Sequence, residues 1–308
     1  MDLAGFLPKW SEGNPDWKPS VEGVCIAGGG EPLLNPHTGE FIERTAAYGI
    51  DSGVITNGVR VDKFLEPLSK CPWVSVSLDA ATPDSFYKLK RPANRSVFGK
   101  VVNNIATLVD YSRSHKTKLG SSLPAYGVTA KYLLHHGNIQ EVYAAAVLAK
   151  QVGCKNICFR PAGTPRHRLG TEEIEFSTED IKLYNEQMLE ALELDDETFN
   201  VYAYTYKVGP AFERFNNFKK CHAVLMAAVF QPAESKDAHE DAYIFSLCCD
   251  RRGDKRMELL HDAADVNEIK KIWGSEKHWE LVDRIDHHKE CPRCTYNTHN
   301  QIYEQVIL

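Results

Sequence analysis

The nine cysteines of this 308-residue chain are the residues whose type and spacing most directly predict chemistry. Cys291 and Cys294 form a Cys-x2-Cys pair, and Cys221, Cys248 and Cys249 precede it. A Cys-x2-Cys turn brings two thiolates to one metal ion or cluster, and cysteines on a hairpin can complete the coordination. These cysteines therefore predict either a zinc ion or an iron–sulfur cluster, because both favour tetrahedral sulfur. Whether Cys248 or Cys249 is the ligand stays open.

Three consecutive glycines form a second candidate site. Gly28, Gly29 and Gly30 follow the apolar run 21–27, which predicts a buried strand, and they precede Glu31. Without Cβ atoms, glycines let a ligand approach bare backbone N–H and C=O groups, and they accept positive φ values. A turn after a strand is the commoner meaning of such a pattern, so the stretch alone does not establish a ligand site.

Strands and helices alternate through the half of the chain that carries the glycines. Apolar runs predict strands at 21–27, 52–56, 73–78, 125–134 and 156–160. Helical spacing predicts helices at 37–48, 61–69, 97–114 and 138–152. This alternation indicates βαβ units around a parallel sheet. Ligands in such folds bind at the carboxyl ends of the strands.

Polar residues stand at those predicted strand ends. They are Thr56 and Asn57 after the second strand, Ser77 and Asp79 after the third, Lys131 in the fourth and Arg160 in the fifth. Each has an ordinary explanation, such as a turn at Asn57 or a helix cap at Asp79. Together they predict a polar small-molecule site. Ser77 and Asp79 are two residues apart and share a strand face, which suits ribose hydroxyls, and Lys131 or Arg160 suits an acid.

Composition and charge exclude several classes of protein. A net charge of −6 and a pI near 6.1 give no electrostatic case for nucleic acid or an anionic membrane as partner. No apolar run reaches the roughly 20 residues of a spanning helix, and no signal peptide is visible. We therefore expect a cytoplasmic protein with reduced thiols. The local basic cluster formed by Arg251, Arg252, Lys255 and Arg256 predicts a solvated turn.

The pattern changes after residue 163. Ser177 and Asp180 predict the capped start of an amphipathic helix that runs to residue 194. Runs at 201–208, 223–231 and 242–247 predict a small antiparallel unit with an acid-rich loop at 234–241, and two helices follow at 267–273 and 276–287. We expect two domains, 1–170 and 171–308.

Several short motifs in the first domain resemble the radical S-adenosylmethionine (radical SAM) superfamily over about residues 21–163. They are Gly29-Gly30-Glu31-Pro32, Thr56-Asn57-Gly58, the run 74–79, the run 84–87 and Lys90-Arg91-Pro92. The resemblance implies an α/β fold with a partial, six-stranded (β/α) barrel. It implies that the glycines and Glu31 meet the amino group of S-adenosylmethionine and that Ser77 and Asp79 approach the ribose. Thr56 and Asn57 would line the pocket floor, and Lys131 and Arg160 would meet the methionine carboxylate or the substrate.

The later cysteines resemble the C-terminal SPASM or twitch extension of the same superfamily. The order of Cys221, a hairpin, Cys248-Cys249, helices and the Cys291/Cys294 pair is similar. The resemblance implies a small α+β domain with one auxiliary [4Fe–4S] cluster and favours iron–sulfur over zinc. The usual glycine of the hairpin is replaced here by Asp241-Ala242.

One family motif is not found in this sequence. Radical SAM enzymes carry Cys-x3-Cys-x2-Cys after their first strand, and these thiolates hold the cluster that cleaves S-adenosylmethionine. Cys25 and Cys71 do not fit it, and Cys154 with Cys158 reads as a pair of core residues on one strand face. We expect that the first strand and its cluster loop are missing through truncation, a split gene or degeneration.

Two functions of different class follow. The first is a radical SAM oxidoreductase, or a fragment of one, that abstracts hydrogen from an unidentified small-molecule or peptide substrate with a reductant such as flavodoxin or ferredoxin. The second is a non-catalytic iron–sulfur or S-adenosylmethionine-binding subunit whose partner polypeptide supplies the cluster loop. For either, we expect little or no S-adenosylmethionine cleavage by this chain alone. No general acid or base is assigned among Tyr126, Tyr202, Tyr204, His135 and His136.

Overall fold

The structure is a computed structural model that describes residues 2–9, 21–123, 126–162, 176–203, 218–233, 242–291, 294 and 296–307. The chain divides into two compact units, one of Val21–Phe212 and one that combines Met1–Ser20 with Glu213–Leu308. The boundary thus falls after residue 212 and not after residue 170. The helix and the strand that follow residue 170 belong to the larger unit because the strand extends its sheet.

The larger unit is built on a six-stranded sheet in which all pairings are parallel and the strands are ordered as in the chain. The strands are β1 Gly23–Ile26, β2 Asp51–Thr56, β3 Trp73–Ser77, β4 Gly127–Leu134, β5 Asn156–Pro161 and β6 Asn200–Ala203. The prediction of an α/β fold with a partial barrel is confirmed. Within the described residues the sheet is open, with β1 and β6 at its edges.

The first helix of the chain, α1 Leu3–Phe6, lies in the smaller unit. The helices that connect the strands of the larger unit are α2 Thr38–Ala47, α3 Leu65–Ser69, α4 Pro83–Lys90, α5 Ser96–Ser114, α6 Val142–Gln151 and α7 Thr178–Leu192. Single 3-10 turns occur at Leu7–Lys9, Pro32–Leu34, Val61–Lys63, Ile139–Glu141 and, in the smaller unit, Lys255–Met257. Ser177 and Asp180 form the predicted capping box of α7. This reciprocal pair satisfies two backbone N–H groups that the first helical turn leaves free.

The two faces of the sheet differ in chemistry. One face is apolar and packs with the helices into a single core, to which Val54, Val74, Val76, Ala130 and Ile157 contribute. We call the opposite face the polar face. Its lower row is Ser75, Thr129, Asn156 and Asn200, and its upper row, nearer the carboxyl ends, is Ser77, Lys131, Cys158 and Tyr202. Because side chains alternate along a strand, each strand supplies both faces.

Three details of the predicted strands are corrected. The first strand is an edge strand with exposed and half-buried residues instead of a buried one. The run from residue 201 does not join the antiparallel unit, because β6 pairs in parallel with β5. Cys154 lies buried in the core as expected, but it precedes β5, and Cys158 is half-buried on the polar face.

The smaller unit contains a three-stranded antiparallel sheet of β7 Val229–Pro232, β8 Tyr243–Ser246 and β9 Glu258–Ala263. Its remaining helices are α8 Ala223–Met226, α9 Asn267–Ile272, α10 Glu276–Arg284, α11 His287–Glu290 and α12 Asn297–Ile307. The start of the predicted strand 223–231 is helical because Asn300 Oδ1 accepts the backbone N–H groups of His222 and Ala223. The acid-rich loop 234–241 lies outside the described residues.

Among the helices of the described ranges, none has both the length and the apolar character that a bilayer crossing requires.

A substitution at Gly53 of β2 tests how closely the sheet is packed. A Cβ at this position would overlap the indole ring of Trp73 on β3. We expect Gly53→Ala to lower the free energy of unfolding by about 1–3 kcal/mol, as overpacking does. Gly99→Ala is the matched control, because a Cβ at this helical position meets nothing within 4 Å, and it should leave stability unchanged or raise it by up to about 1 kcal/mol. Equal urea midpoints for the two variants would contradict the packing described.

Candidate functional site

The carboxylate of Glu31 holds the carboxyl end of β2. Its Oε1 accepts the Thr56 hydroxyl at 2.6 Å and the Leu33 N–H at 3.1 Å, while its Oε2 accepts the Asn57 N–H at 2.6 Å. Charge-assisted hydrogen bonds of this kind are stronger than neutral ones. The side chain of Glu31 therefore fixes the ends of the first two strands against each other. Thr56 is buried, and its hydroxyl donates to the Glu31 carboxylate.

The three glycines form an open surface beside this contact. Gly28, Gly29 and Gly30 are exposed, and none adopts the positive φ that the sequence pattern allowed. A Cβ built on Gly29 or Gly30 meets nothing within 4 Å. The space beside their backbone can thus admit a ligand, and a side chain placed there would occupy that space without disturbing the fold.

Asp79 is engaged by the protein. It is 5% exposed, has a left-handed φ of 56°, forms an ion pair with Lys90, and accepts the Leu133 N–H at 2.7 Å. Because the backbone turns sharply at Asp79, its side chain does not lie on the polar face of the sheet, where Ser77 pairs with Lys131. The expectation that Ser77 and Asp79 act together on one face is therefore not met.

Lys131 and Arg160 lie on the polar face near the carboxyl ends of β4 and β5. Lys131 pairs in register with Cys158, and Arg160 stands two residues beyond Cys158 on the same side. Both are half-buried, and neither has an ion-pair partner among the described residues. Two cations without a carboxylate partner on one face suit an anionic ligand group such as a carboxylate.

Buried amides that the sequence motifs did not reveal position the strand ends. Asn104 on α5 donates to the carbonyls of Gly58 at 2.8 Å and Val59 at 3.2 Å. Asn138, fully buried, donates to the carbonyls of Asp79 and Leu133 at 2.9 and 2.8 Å. The sequence did contain a signal for Asn104, because it is a polar residue among the apolar positions of one helix face. A buried amide at such a position needs hydrogen-bond partners.

A second candidate site lies among the cysteines of the smaller unit. Burial raises the pKa of the Cys294 thiol to about 12 against the opposing effect of the Tyr296 N–H group, and the charges of Cys221, Asp250 and Cys291 contribute smaller increases. Burial also raises the pKa of Cys248 to about 12, and that of Cys221. The Asn300 amide lies 3.8 Å from the Cys221 sulfur and the Tyr296 hydroxyl lies 3.4 Å from the Cys249 sulfur, so both cysteines contact the segment that follows Cys294.

The Cys221 thiol has hydrogen-bond donors beside it. Around the Cys221 sulfur, the N–H groups of Val224 and Ala223 and the Asn300 amide, at 3.8 Å, oppose the rise of its pKa. Donors of this kind stabilise a negatively charged sulfur. In the described part of the chain, no three His, Cys, Asp or Glu side chains are already arranged around the position of a single metal ion.

Arg251 does not lie in a solvated turn. Its side chain is 2% exposed and forms ion pairs with Asp254 at 2.5 Å and Glu290 at 2.6 Å. The prediction for this residue was wrong because Glu290, distant in the sequence, supplies the second carboxylate that makes its burial tolerable. Arg252, Lys255 and Arg256 are exposed, as expected.

Comparisons with known proteins agree with this architecture. The family model described as the Radical SAM superfamily matches residues 17–123. No curated protein matches the sequence. Streptococcus suis SuiB bound to the precursor peptide SuiA is similar with a TM-score of 0.55 and 10% identity, over 85% of this chain and 56% of that chain. The structure of anSMEcpe with bound AdoMet and the Kp18Cys peptide is similar with a TM-score of 0.51 and 12% identity, over 95% and 76%.

Residues 17–123 thus match the radical SAM superfamily model, and the fold of the chain is similar to that of the SuiB and anSMEcpe structures. At 10–12% identity the structural likeness shows the fold alone. The chain spans about half the length of the first solved structures that it matches, for example 56% of SuiB.

The Glu31 contact predicts a local change at the strand end. In Glu31→Ala the Asn57 N–H loses its carboxylate acceptor, and hydrogen bonds to charged groups contribute about 1.5–3 kcal/mol. We therefore expect the Asn57 amide to exchange with deuterium about 10 to 100 times faster. Glu186→Ala removes only an exposed ion pair of 3.9 Å with Lys182 and is the control. Unchanged exchange at Asn57 would contradict the contact.

The Asp254 carboxylate predicts a pH dependence of stability. The guanidinium groups of Arg256 and Arg251 hold the pKa of Asp254 well below its usual range, against the effect of burial. A carboxyl with a lowered folded-state pKa stabilises the fold above its unfolded pKa, near 3.9, and this stability is lost as the pH falls below that value. We expect Asp254→Asn to destabilise the protein at pH 7 and to flatten the fall in stability below about pH 4. Urea unfolding from pH 2.5 to 7 measures both, and parallel curves for the two proteins would contradict the assignment.

Proposed function

We propose that this chain is a radical SAM-type iron–sulfur oxidoreductase, or part of one, that uses S-adenosylmethionine for hydrogen abstraction. The observation that carries the proposal is the superfamily segment 17–123, whose glycines and Glu31 stand at the carboxyl ends of β1 and β2. Parallel α/β sheets bind their ligands at this edge.

The residues at the strand ends fit S-adenosylmethionine in the following roles. Gly28, Gly29 and Gly30 offer exposed backbone to its amino group, and Ser77 offers a hydroxyl to the ribose. Lys131 and Arg160 suit its carboxylate or an acidic group of the substrate. Glu31 holds the site together through Thr56 and Asn57. Asp79 stays a weaker candidate because Lys90 and Leu133 already engage it.

The smaller unit is proposed to carry the auxiliary [4Fe–4S] cluster on thiolates drawn from Cys221, Cys248, Cys249, Cys291 and Cys294. Support comes from the buried neighbouring thiols and from the N–H donors around their sulfur atoms. When bound, such a group supplies one-electron chemistry. The protein supplies thiolates, hydrogen bonds and exclusion of water.

The substrate class is proposed as a peptide or a small molecule. The SuiB structure contains the peptide SuiA, and the anSMEcpe structure contains the Kp18Cys peptide. These two matches favour a peptide, and Lys131 and Arg160 favour a substrate or cofactor group that is negatively charged. A reductant such as flavodoxin or ferredoxin would supply the electron.

The second candidate function is a non-catalytic iron–sulfur or S-adenosylmethionine-binding subunit. One observation favours it: the 308 residues contain no Cys-x3-Cys-x2-Cys. In that case another polypeptide would supply the thiolates of the cleaving cluster.

The enzyme and an S-adenosylmethionine-binding subunit both require binding of S-adenosylmethionine at the glycines, and Gly29→Ala tests this binding. Because a Cβ here meets no protein atom within 4 Å, we expect an unchanged melting temperature and about tenfold weaker binding in equilibrium dialysis, equivalent to about 1.4 kcal/mol. Gly99→Ala, equally free of contacts, should bind as the wild type does.

Formation of 5′-deoxyadenosine tests whether this chain alone is the enzyme. Anaerobically reconstituted wild-type protein is incubated with S-adenosylmethionine and dithionite, and the nucleoside is quantified by chromatography. Stoichiometric or greater 5′-deoxyadenosine supports the enzyme and contradicts the expectation of little cleavage, whereas binding without cleavage is the expected result for a fragment of the enzyme and for the subunit alike. Absence of binding to wild-type protein overturns both proposals for this site.

A further inference from the structure

The carboxylate of Glu141 holds the chain that follows β3 in the same way that Glu31 holds the end of β2. Glu141 stands immediately before α6, in the connection that follows β4. Its Oε2 accepts the Ala81 N–H at 2.8 Å and the Ser85 hydroxyl at 2.6 Å, and its Oε1 accepts the Thr82 hydroxyl at 2.9 Å. Because an ionised carboxylate only accepts hydrogen bonds, one side chain fixes three donors that lie 56 to 60 residues earlier in the chain.

Further contacts join the same two segments of the chain. Asn138, fully buried, donates to the Asp79 carbonyl at 2.9 Å, and the Asp79 carboxylate accepts the Leu133 N–H at 2.7 Å. Lys90, the last residue of α4, forms an ion pair with Asp79. Both ends of α4 are therefore attached to the chain that follows β3 and β4, the first turn through Glu141 and the last through Asp79.

The backbone of Asp79 shows why this segment needs several contacts. Its φ of 56° is left-handed, and a residue other than glycine keeps such a conformation only where the surrounding structure fixes it. Residues strained in this way cluster at ligand sites. The sharp turn at Asp79 comes two residues after Ser77, whose hydroxyl is proposed to meet the ribose. The position of that hydroxyl therefore depends on the contacts that hold the turn.

We infer that Glu141 is the positioning residue for the nucleoside half of the ligand site, as Glu31 is for the amino-acid half. Glu31 fixes the ends of β1 and β2 beside the glycines, whereas Glu141 fixes the segment that follows Ser77. The inference rests on the proposed function in that S-adenosylmethionine is the ligand proposed for this edge of the sheet. Because the two carboxylates hold different strands, a change at either one should affect one half of the ligand.

Hydrogen exchange in the full chain tests the contact. In Glu141→Ala the Ala81 N–H loses its carboxylate acceptor, and we expect this amide to exchange about 10 to 100 times faster. The Asn57 amide, which Glu31 holds, should exchange as it does in the wild type. Glu190→Ala removes an exposed carboxylate of α7 and is the matched control, which should change neither amide. Unchanged exchange at Ala81 would overturn the inference.

Competition by ligand fragments tests the division of the site. Radiolabelled S-adenosylmethionine is displaced by unlabelled 5′-deoxyadenosine or L-methionine, and the dissociation constant of each fragment is calculated from the displacement. For Glu141→Ala we expect about tenfold weaker binding of 5′-deoxyadenosine, the size of one lost hydrogen bond, and unchanged binding of L-methionine. Glu31→Ala should show the opposite pattern. A general loss of structure would weaken both fragments alike, so equal effects on the two fragments in Glu141→Ala contradict the inference.

Two milder variants keep the inference testable if Glu141→Ala does not fold. Glu141→Gln retains an oxygen for the Ala81 N–H, and its amide can donate to the Thr82 hydroxyl, so it should restore most of the affinity for 5′-deoxyadenosine. Ser85→Ala removes one donor to the carboxylate and should weaken 5′-deoxyadenosine about threefold with L-methionine unchanged. Wild-type affinity for 5′-deoxyadenosine in Ser85→Ala would count against the positioning role.

Exchange and binding together separate the inference from the proposed function. If wild-type protein binds no S-adenosylmethionine while Glu141→Ala speeds exchange at Ala81, the proposed function fails, and Glu141 stands as the support of the chain after β3 without this ligand. If S-adenosylmethionine binds and the two fragments respond equally to Glu141→Ala, the function stands and the inference fails. If wild-type protein binds no S-adenosylmethionine and exchange at Ala81 is unchanged, both fail.

Discussion

The arrangement of the larger unit depends on placing the apolar side chains of its parallel sheet on one face. A parallel sheet covered by helices on both sides requires strands that are apolar throughout. Here β3, β4 and β5 alternate, so that Val74, Ala130 and Ile157 pack with the helices while Ser75, Lys131 and Cys158 face the opposite way. Such alternation is typical of a sheet that curves around an interior. A polar face is therefore a consequence of the same pattern that forms the core.

Polar groups on that face cost free energy when they are buried without hydrogen-bond partners. The residues of the lower row find such partners among themselves. Asn156 donates to the Thr129 hydroxyl at 3.1 Å, and Asn200 donates to Asn156 at 3.1 Å. Lys131 of the upper row, and Arg160 two residues beyond Cys158, have no ion-pair partner among the described residues. The lower row thus forms hydrogen bonds within itself, whereas these two cations near the carboxyl ends form no ion pair in the described part of the chain.

Periodicity in the sequence predicted the alternation of strands and helices, because burial of one face imposes a spacing that local residues reveal. It did not predict the sheet to which β6 belongs. A four-residue strand looks the same in a parallel and an antiparallel sheet, and the pairing of Asn156 with Asn200 depends on a crossover that includes α7. The motifs identified Glu31 but not its hydrogen bonds. Its partners Thr56 and Asn57 lie 25 and 26 positions later in the chain, so no local pattern connects them to it. Asn138 and Arg251 were likewise invisible as positioning residues because their partners are set by tertiary structure.

Arg251 shows most clearly why a local pattern was insufficient. Next to Arg252, Lys255 and Arg256 it resembles one more charge on a solvated turn, yet it alone is buried. Taking a guanidinium and two carboxylates out of water is costly, and apolar residues of similar volume often replace a buried ion pair at no loss of stability. Stability alone is thus a weak reason for an arginine here. What the two ion pairs provide is a fixed position: the two carboxylates fix the direction of the guanidinium, and the Glu290 pair connects the turn after β8 to the end of α11.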